Sequence, residues 1–147
     1  AIAAYGTDGT GAAAGYVRLY RYDEGASTWN QLGDDVDCKA TTGISVSLSA
    51  DGNSFAMGTY VSDESGATTG YVRVYQCDGT TWTTLGSDIE CKAAHGFSWF
   101  YVSLCADGST FAIETYSNDG KGNNSGYVQV YQYGESTWTK KGGDIDC

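Results

Sequence analysis

The feature that most limits what this chain can fold into is a six-residue unit that occurs three times. It reads Gly15-Tyr16-Val17-Arg18-Leu19-Tyr20, then Gly70-Tyr71-Val72-Arg73-Val74-Tyr75, then Gly126-Tyr127-Val128-Gln129-Val130-Tyr131, at spacings of 55 and 56 residues. Val and Leu hold one parity, and Arg or Gln falls among the residues at the other. That is the period of a β-strand with two unlike faces. The flanking sequence repeats with the unit, so the three copies must adopt one local structure.

We name the strands of the repeat A to D and this unit strand B. Strand A is Ala1-Ile2-Ala3-Ala4-Tyr5, matched by Ala56-Met57-Gly58-Thr59-Tyr60 and Ala112-Ile113-Glu114-Thr115-Tyr116. A polar A–B loop of constant length follows each. After strand B come hairpin signals, Asp23-Glu24-Gly25, Asp78-Gly79 and Gly134-Glu135. Strand C carries Trp29, Trp82 or Trp138, with Cys38, Cys91 or Cys147 nine residues later. Before each Cys, acidic and apolar residues alternate (Asp35-Val36-Asp37, Asp88-Ile89-Glu90, Asp144-Ile145-Asp146), the pattern of a half-buried strand whose charged face blunts a sheet edge. Strand D is Ile44–Leu48 and Tyr101–Leu104, each ending in an Ala-Asp-Gly turn into the next strand A. The second strand D follows a three-residue insertion around Phe97-Ser98-Trp99-Phe100, expected as an exposed loop.

Gly is abundant at 21 residues, Pro is absent and aromatics make up 14%. Tyr, Thr, Val and Trp favour pleated surfaces and Gly supplies turns, so the fold class expected is all-β. Four short antiparallel strands per copy of about 55 residues, joined as a meander, describe a β-propeller blade. The repeat boundaries fall at 1–38 (A-B-C), 39–91 (D-A-B-C) and 92–147 (D-A-B-C), eleven strands in all. Closed propellers need about four blades or more, so an incomplete ring is expected; the start in mid-repeat, with an open edge at Ala1, favours further repeats of a longer protein over an assembly of several copies.

The run Gly96-Phe97, Val102-Ser103-Leu104, Asp107-Gly108, Phe111-Ala112-Ile113 and Gly126–Tyr131 resembles the FG-GAP repeat of integrin α-type propellers. It is more similar still to repeats of large surface proteins in algae and marine bacteria, which share Ser-Leu-Ser-Ala-Asp-Gly and Gly-x-Val-x-Val-Tyr elements. The resemblance spans essentially the whole chain and implies a propeller-type architecture outside the cell or on its surface. FG-GAP blades that bind calcium do so in the D–A loop. Here that loop has shrunk to Ala50-Asp51-Gly52-Asn53 and Ala106-Asp107-Gly108-Ser109, too few oxygens for a cation that takes six to eight. The A–B loops, around Asp8, Asp63 and Asp119, leave room only for a weak calcium site, and their Asp and Gly residues read as Asx-turns. No cofactor is expected.

Five cysteines, Cys38, Cys77, Cys91, Cys105 and Cys147, show no zinc spacing and are disulfide candidates in an oxidising compartment, one of them left over for an outside partner. The alternative is that some are small buried residues. Asn123-Asn124-Ser125 is an N-glycosylation sequon. Trp99, Phe100 and Tyr101 break the repeat symmetry and form a candidate contact surface.

The net charge of −10 and pI of about 4.2 argue against nucleic acid and anionic membranes, and no apolar run is long enough to cross a bilayer. The lone His95 has no repeated equivalent and no nucleophile motif beside it. The acidic pairs recur with the repeat, as scaffold does and a catalytic site does not. The repeated Trp residues read as packing between blades. The expectation is a non-enzymatic structural or adhesive module of an extracellular protein, a filament or appendage component among them. Its partners would be other copies or further repeats of itself, with glycans as additional ligands. The alternative is a ligand- or glycan-binding propeller of the lectin or adhesion-receptor kind.

Overall fold

The computed structural model of the chain describes residues 2–7, 13–38, 43–62, 68–92, 97–118 and 124–146. It is all-β and antiparallel, and its sheets follow the repeat. Sheet I contains β1 (Ile2–Thr7), β2 (Ala13–Arg18) and β5 (Val36–Cys38) in the order β1-β2-β5. The hairpin of β3 (Tyr20–Asp23) and β4 (Thr28–Gln31) prolongs it beyond Leu19. Sheet II contains β6 (Gly43–Leu48), β7 (Ser54–Ser62), β8 (Thr68–Cys77), β9 (Trp82–Thr84) and β10 (Ile89–Lys92). Sheet III contains β11 (Phe97–Leu104), β12 (Thr110–Asn118), β13 (Asn124–Gly134), β14 (Thr137–Lys140) and β15 (Ile145–Asp146). In sheets II and III the spatial order is D-A-B-C, with each strand paired to its sequence neighbour.

Among the described residues fifteen strands stand where eleven were expected. Strand C is broken in every copy, and strand B is broken once, at Leu19. In sheet II, β9 pairs with the far end of β8 (Tyr75↔Thr84) while β10 pairs with its near end (Ile89↔Val72), so both halves of C share one partner. Gly86, at φ +75°, turns the chain between them. Gly33 (φ +72°) and Gly142 (φ +78°) do the same in the other sheets, a conformation that a residue with a Cβ rarely adopts.

The insertion before the second strand D is not a loop. Phe97–Leu104 is one strand, paired with β12 from Phe97↔Ser117 to Leu104↔Phe111, with a bulge between Phe97 and Trp99. The aromatic residues favour the pleated surface, and a bulge accommodates an extra residue without ending the strand.

The sheets lie face to face in three layers, with a core in each of the two gaps. Between I and II pack Val17, Leu19 and Cys38 from one side and Phe55, Met57 and Tyr75 from the other. Between II and III pack Ala56, Val72, Val74 and Cys91 against Phe111, Ile113, Val102, Leu104 and Trp138. Each sheet therefore has two different faces. The front, toward the preceding sheet, carries the large aromatics; the back, toward the following one, carries small and β-branched residues and the cysteine. Strand alternation puts Tyr71, Arg73 and Tyr75 in front and Val72 and Val74 behind. Phe55 and Phe111, at 0% and 1% exposure, anchor the two cores, and burial of a side chain this size contributes roughly 1.5–3 kcal/mol.

Candidate functional site

Among the described residues, the junction between sheets is a constellation that the chain builds twice with the same parts. At the break in strand C, Leu85 still donates its N–H to Val74 O (2.8 Å), so its own sheet holds it in place. Gly86 then turns away, and the Leu85 carbonyl accepts the indole Nε1–H of Trp138 from sheet III at 2.7 Å. One layer earlier the same parts recur. Leu32 N donates to Leu19 O (2.9 Å), and Leu32 O accepts Trp82 Nε1–H, again at 2.7 Å. The following glycine makes room for the indole. A Cβ built on Gly86 would lie 2.8 Å from Trp138 Cδ1, and one on Gly33 would lie 2.8 Å from Trp82 Cδ1.

Each Trp is braced from its own sheet. Trp82 meets Phe55 edge-on (4.9 Å between centroids), and Phe55 stacks on Tyr75 at 4.8 Å. Trp138 meets Phe111 at 4.8 Å, and Phe111 stacks on Tyr131 at 5.3 Å. Such aromatic geometry adds about 0.5–1.5 kcal/mol per pair beyond the area it covers. Sheets II and III are also joined along their D strands. Val102 N and Leu104 N, on the edge of sheet III, donate to Ser45 Oγ (3.1 Å) and Ser47 Oγ (2.9 Å), and Ala50 N donates to Ala106 O (2.9 Å).

The first acidic residue of each pair before the Cys, Asp35, Asp88 or Asp144, holds strand C against strand B. Arg18 Nε donates to Asp35 at 2.6 Å, Arg73 Nε donates to Asp88 at 2.6 Å, and Gln129 Nε2 donates to Asp144 at 2.9 Å, where Lys140 also binds. Arg73 and Arg18 are held above the ordinary guanidinium range by those carboxylates, and Asp35 and Asp144 are held below the ordinary carboxylate range by the same pairs. Asp35, Asp88 and Asp144 are therefore engaged in the scaffold.

The D–A turns engage their own acids too. Asp51 Oδ1 accepts Ser49 Oγ (2.7 Å) and Asn53 N (2.9 Å). Asp107 Oδ1 accepts Cys105 Sγ (2.7 Å) and Ser109 N (2.9 Å), which hold its carboxyl at about 2. Cys105 thus occupies the position of Ser49. Among the described residues no three His, Cys, Asp or Glu side chains cluster as a metal would require. The A–B loops around Asp8, Asp63 and Asp119 lie outside the described residues.

Cys38, Cys77, Cys91 and Cys105 carry free thiols. Cys38 and Cys91, 1% and 3% exposed, sit on the backs of sheets I and II, in different cores. Burial pushes their thiols up to about 11 and about 12. Cys147, Asn123 and His95 lie outside the described residues. Of the candidate contact surface, Trp99, Phe100 and Tyr101 all fall on β11, and Tyr101 is 52% exposed on its sheet's back; the side chains of Trp99 and Phe100 lie outside the described set. An open depression of about 500 Å³ runs along the β3–β4 hairpin, lined by Arg21, Asp23, Asn30 and Gln31 among others.

Sequence reasoning singled out the Trp residues and missed their receptors. The available signal was a Trp followed four residues later by Gly in every copy: Trp29 and Gly33, Trp82 and Gly86, Trp138 and Gly142. That spacing does not reveal that each glycine serves the indole of the next sheet rather than its own. Comparison of the chain with protein-family models, characterised proteins and solved structures finds no significant match.

Proposed function

We propose that this chain is a non-enzymatic structural or adhesive repeat module whose sheets are blades of the β-propeller type, serving in an extracellular or cell-surface protein. The observation that carries this reading is the twofold recurrence of the Trp-to-carbonyl junction at one distance, 2.7 Å. Trp82 and Trp138, with the rings that brace them, are spent on joining one sheet to the next. The broken C strand serves the same end, while the carboxylate pairs and the Asp-Gly turns hold each sheet together internally. An acidic surface keeps such a module soluble and away from polyanions. The resemblance to surface-protein repeats with Gly-x-Val-x-Val-Tyr strands agrees with this reading.

The test is a glycan array together with a calcium titration followed by the thermal midpoint. The expected result is no saturable glycan signal and no calcium-dependent rise in Tm. A glycan bound saturably, and lost in Trp29→Ala or Tyr101→Ala, would replace this reading with a lectin.

A further inference from the structure

The two ends of the stack are the two halves of the junction found inside it. At the junctions between I and II and between II and III, the back offers a carbonyl, a left-handed glycine and two β-branched or aliphatic residues of strand B. The front offers a Trp and the Tyr residues of strand B. On the back of sheet III the same backbone is in place. Lys141 N donates to Val130 O (2.7 Å), as Leu85 does to Val74, and Gly142 follows with φ +78°. Around Gly142, however, nothing among the described residues approaches a built Cβ within 4 Å, whereas Gly33 and Gly86 are covered by indoles. Val128 and Val130 are half-buried, against 1% and 2% exposure for Val72 and Val74 and 0% and 2% for Val17 and Leu19. On the front of sheet I, Trp29 is 66% exposed, against 6% for Trp138. It leans on Tyr22 at 5.2 Å, as Trp138 leans on Tyr133 at 5.0 Å.

We propose that the back of sheet III receives the front of sheet I from a second copy of this chain, Trp29 covering Gly142 and donating its Nε1–H to the Lys141 carbonyl. The inference rests on the structural-module reading and names that module's partner. The contact is heterologous, one surface meeting a different one, so it propagates as an open array or closes as a ring. It continues an interface that the chain already makes twice, and the acceptor is main chain, so Lys in place of Leu does not remove it.

The experiment is sedimentation velocity of the intact chain from about 1 to about 100 μM, a range that captures weak and moderate self-association. It is run on wild type, Trp29→Ala and Val130→Asp, with far-UV circular dichroism confirming the fold of each. Wild type is expected to grow in mass with concentration, while each variant stays at 15.6 kDa. Mixing the two variants is expected to restore a single species of twice that mass, because Trp29→Ala keeps an intact back and Val130→Asp an intact front. Should Val130→Asp lose its fold, Val128→Lys on the same face takes its place. Wild type monomeric throughout, or either variant pairing with itself, overturns the inference. If the glycan array is blank in that event, the module reading stands and only its partner is wrong. A glycan hit with intact self-association would instead remove the module reading alone.

Discussion

Gly86→Ala tests whether the room left for an indole holds the stack together, and Gly142→Ala is its built-in control. Both glycines are left-handed, at φ +75° and +78°, so both substitutions carry the same backbone penalty of roughly 1–2 kcal/mol. Only at Gly86 does the new methyl collide, 2.8 Å from Trp138 Cδ1 and 3.2 Å from Tyr133 Cε2. Overpacking of that kind costs about 1–3 kcal/mol, and a tilted indole also weakens its hydrogen bond to Leu85 O, worth about 1 kcal/mol. Gly86→Ala should therefore be about 2–3 kcal/mol more destabilising than Gly142→Ala, roughly 4–12 °C in Tm for a domain of this size. The assay is urea unfolding by circular dichroism at a protein concentration where the chain is monomeric, with m compared across the three proteins. Equal losses for the two variants, within about 0.5 kcal/mol, would show that the close approach of Trp138 contributes nothing and would refute the junction as the source of cohesion.

Other outcomes follow from single features. Thr59 is fully buried with an unpartnered Oγ1, so Thr59→Val should stabilise by about 1 kcal/mol in the same unfolding assay. The β13–β14 turn uses Glu135 and Ser136 at φ +51° and +65°. Replacing the pair by Asn-Gly, the residues that such a two-residue turn favours, should raise stability by about 1 kcal/mol. Asp107 titrates in the folded state at about 2, below its ordinary 3.8. Its contribution is whole above pH 4 and is lost as pH falls through 2, so Asp107→Asn should flatten the acid limb of a Tm–pH profile. The Cys38 and Cys91 thiols are raised from 9.0 to about 11 and about 12. The stability they contribute is whole below pH 9 and lost as pH rises through 11–12, and at pH 8 a thiol reagent should label Cys77 and Cys105 well before either of them.

Strand B was legible because its alternation is strict, and the D–A turns because they carry Asp-Gly. The front of each sheet was legible in outline, since Phe55, Tyr75 and Trp82 recur as Phe111, Tyr131 and Trp138. The break in strand C was not. Leu85-Gly86-Ser87-Asp88 has no Pro and no strong turn pair, and only the fold shows that Gly86 is left-handed and that Asp88 reaches back to Arg73. The insertion at 97–100 was misread because length suggested a loop, while Phe, Trp and Tyr favoured extending the strand. The cysteines illustrate a further limit. Equal spacing from Trp fixes their place in the repeat, but which side of a sheet they occupy follows from pairing, as Cys91 opposite Gly70 shows.

The junction makes modest demands on composition. One half of it is a peptide carbonyl, which every residue type possesses, and a glycine; the other is a single indole. Leu32, Leu85 and Lys141 present the same acceptor although the third shares neither polarity nor shape with the first two. Repeats joined this way can therefore drift apart at most positions and still be exchanged, duplicated or reordered like interchangeable couplings. A hybrid made by placing residues 92–147 directly after residues 1–38 should set Trp138 on the Leu32 carbonyl as Trp82 is set now, because the acceptor half of the junction is main chain.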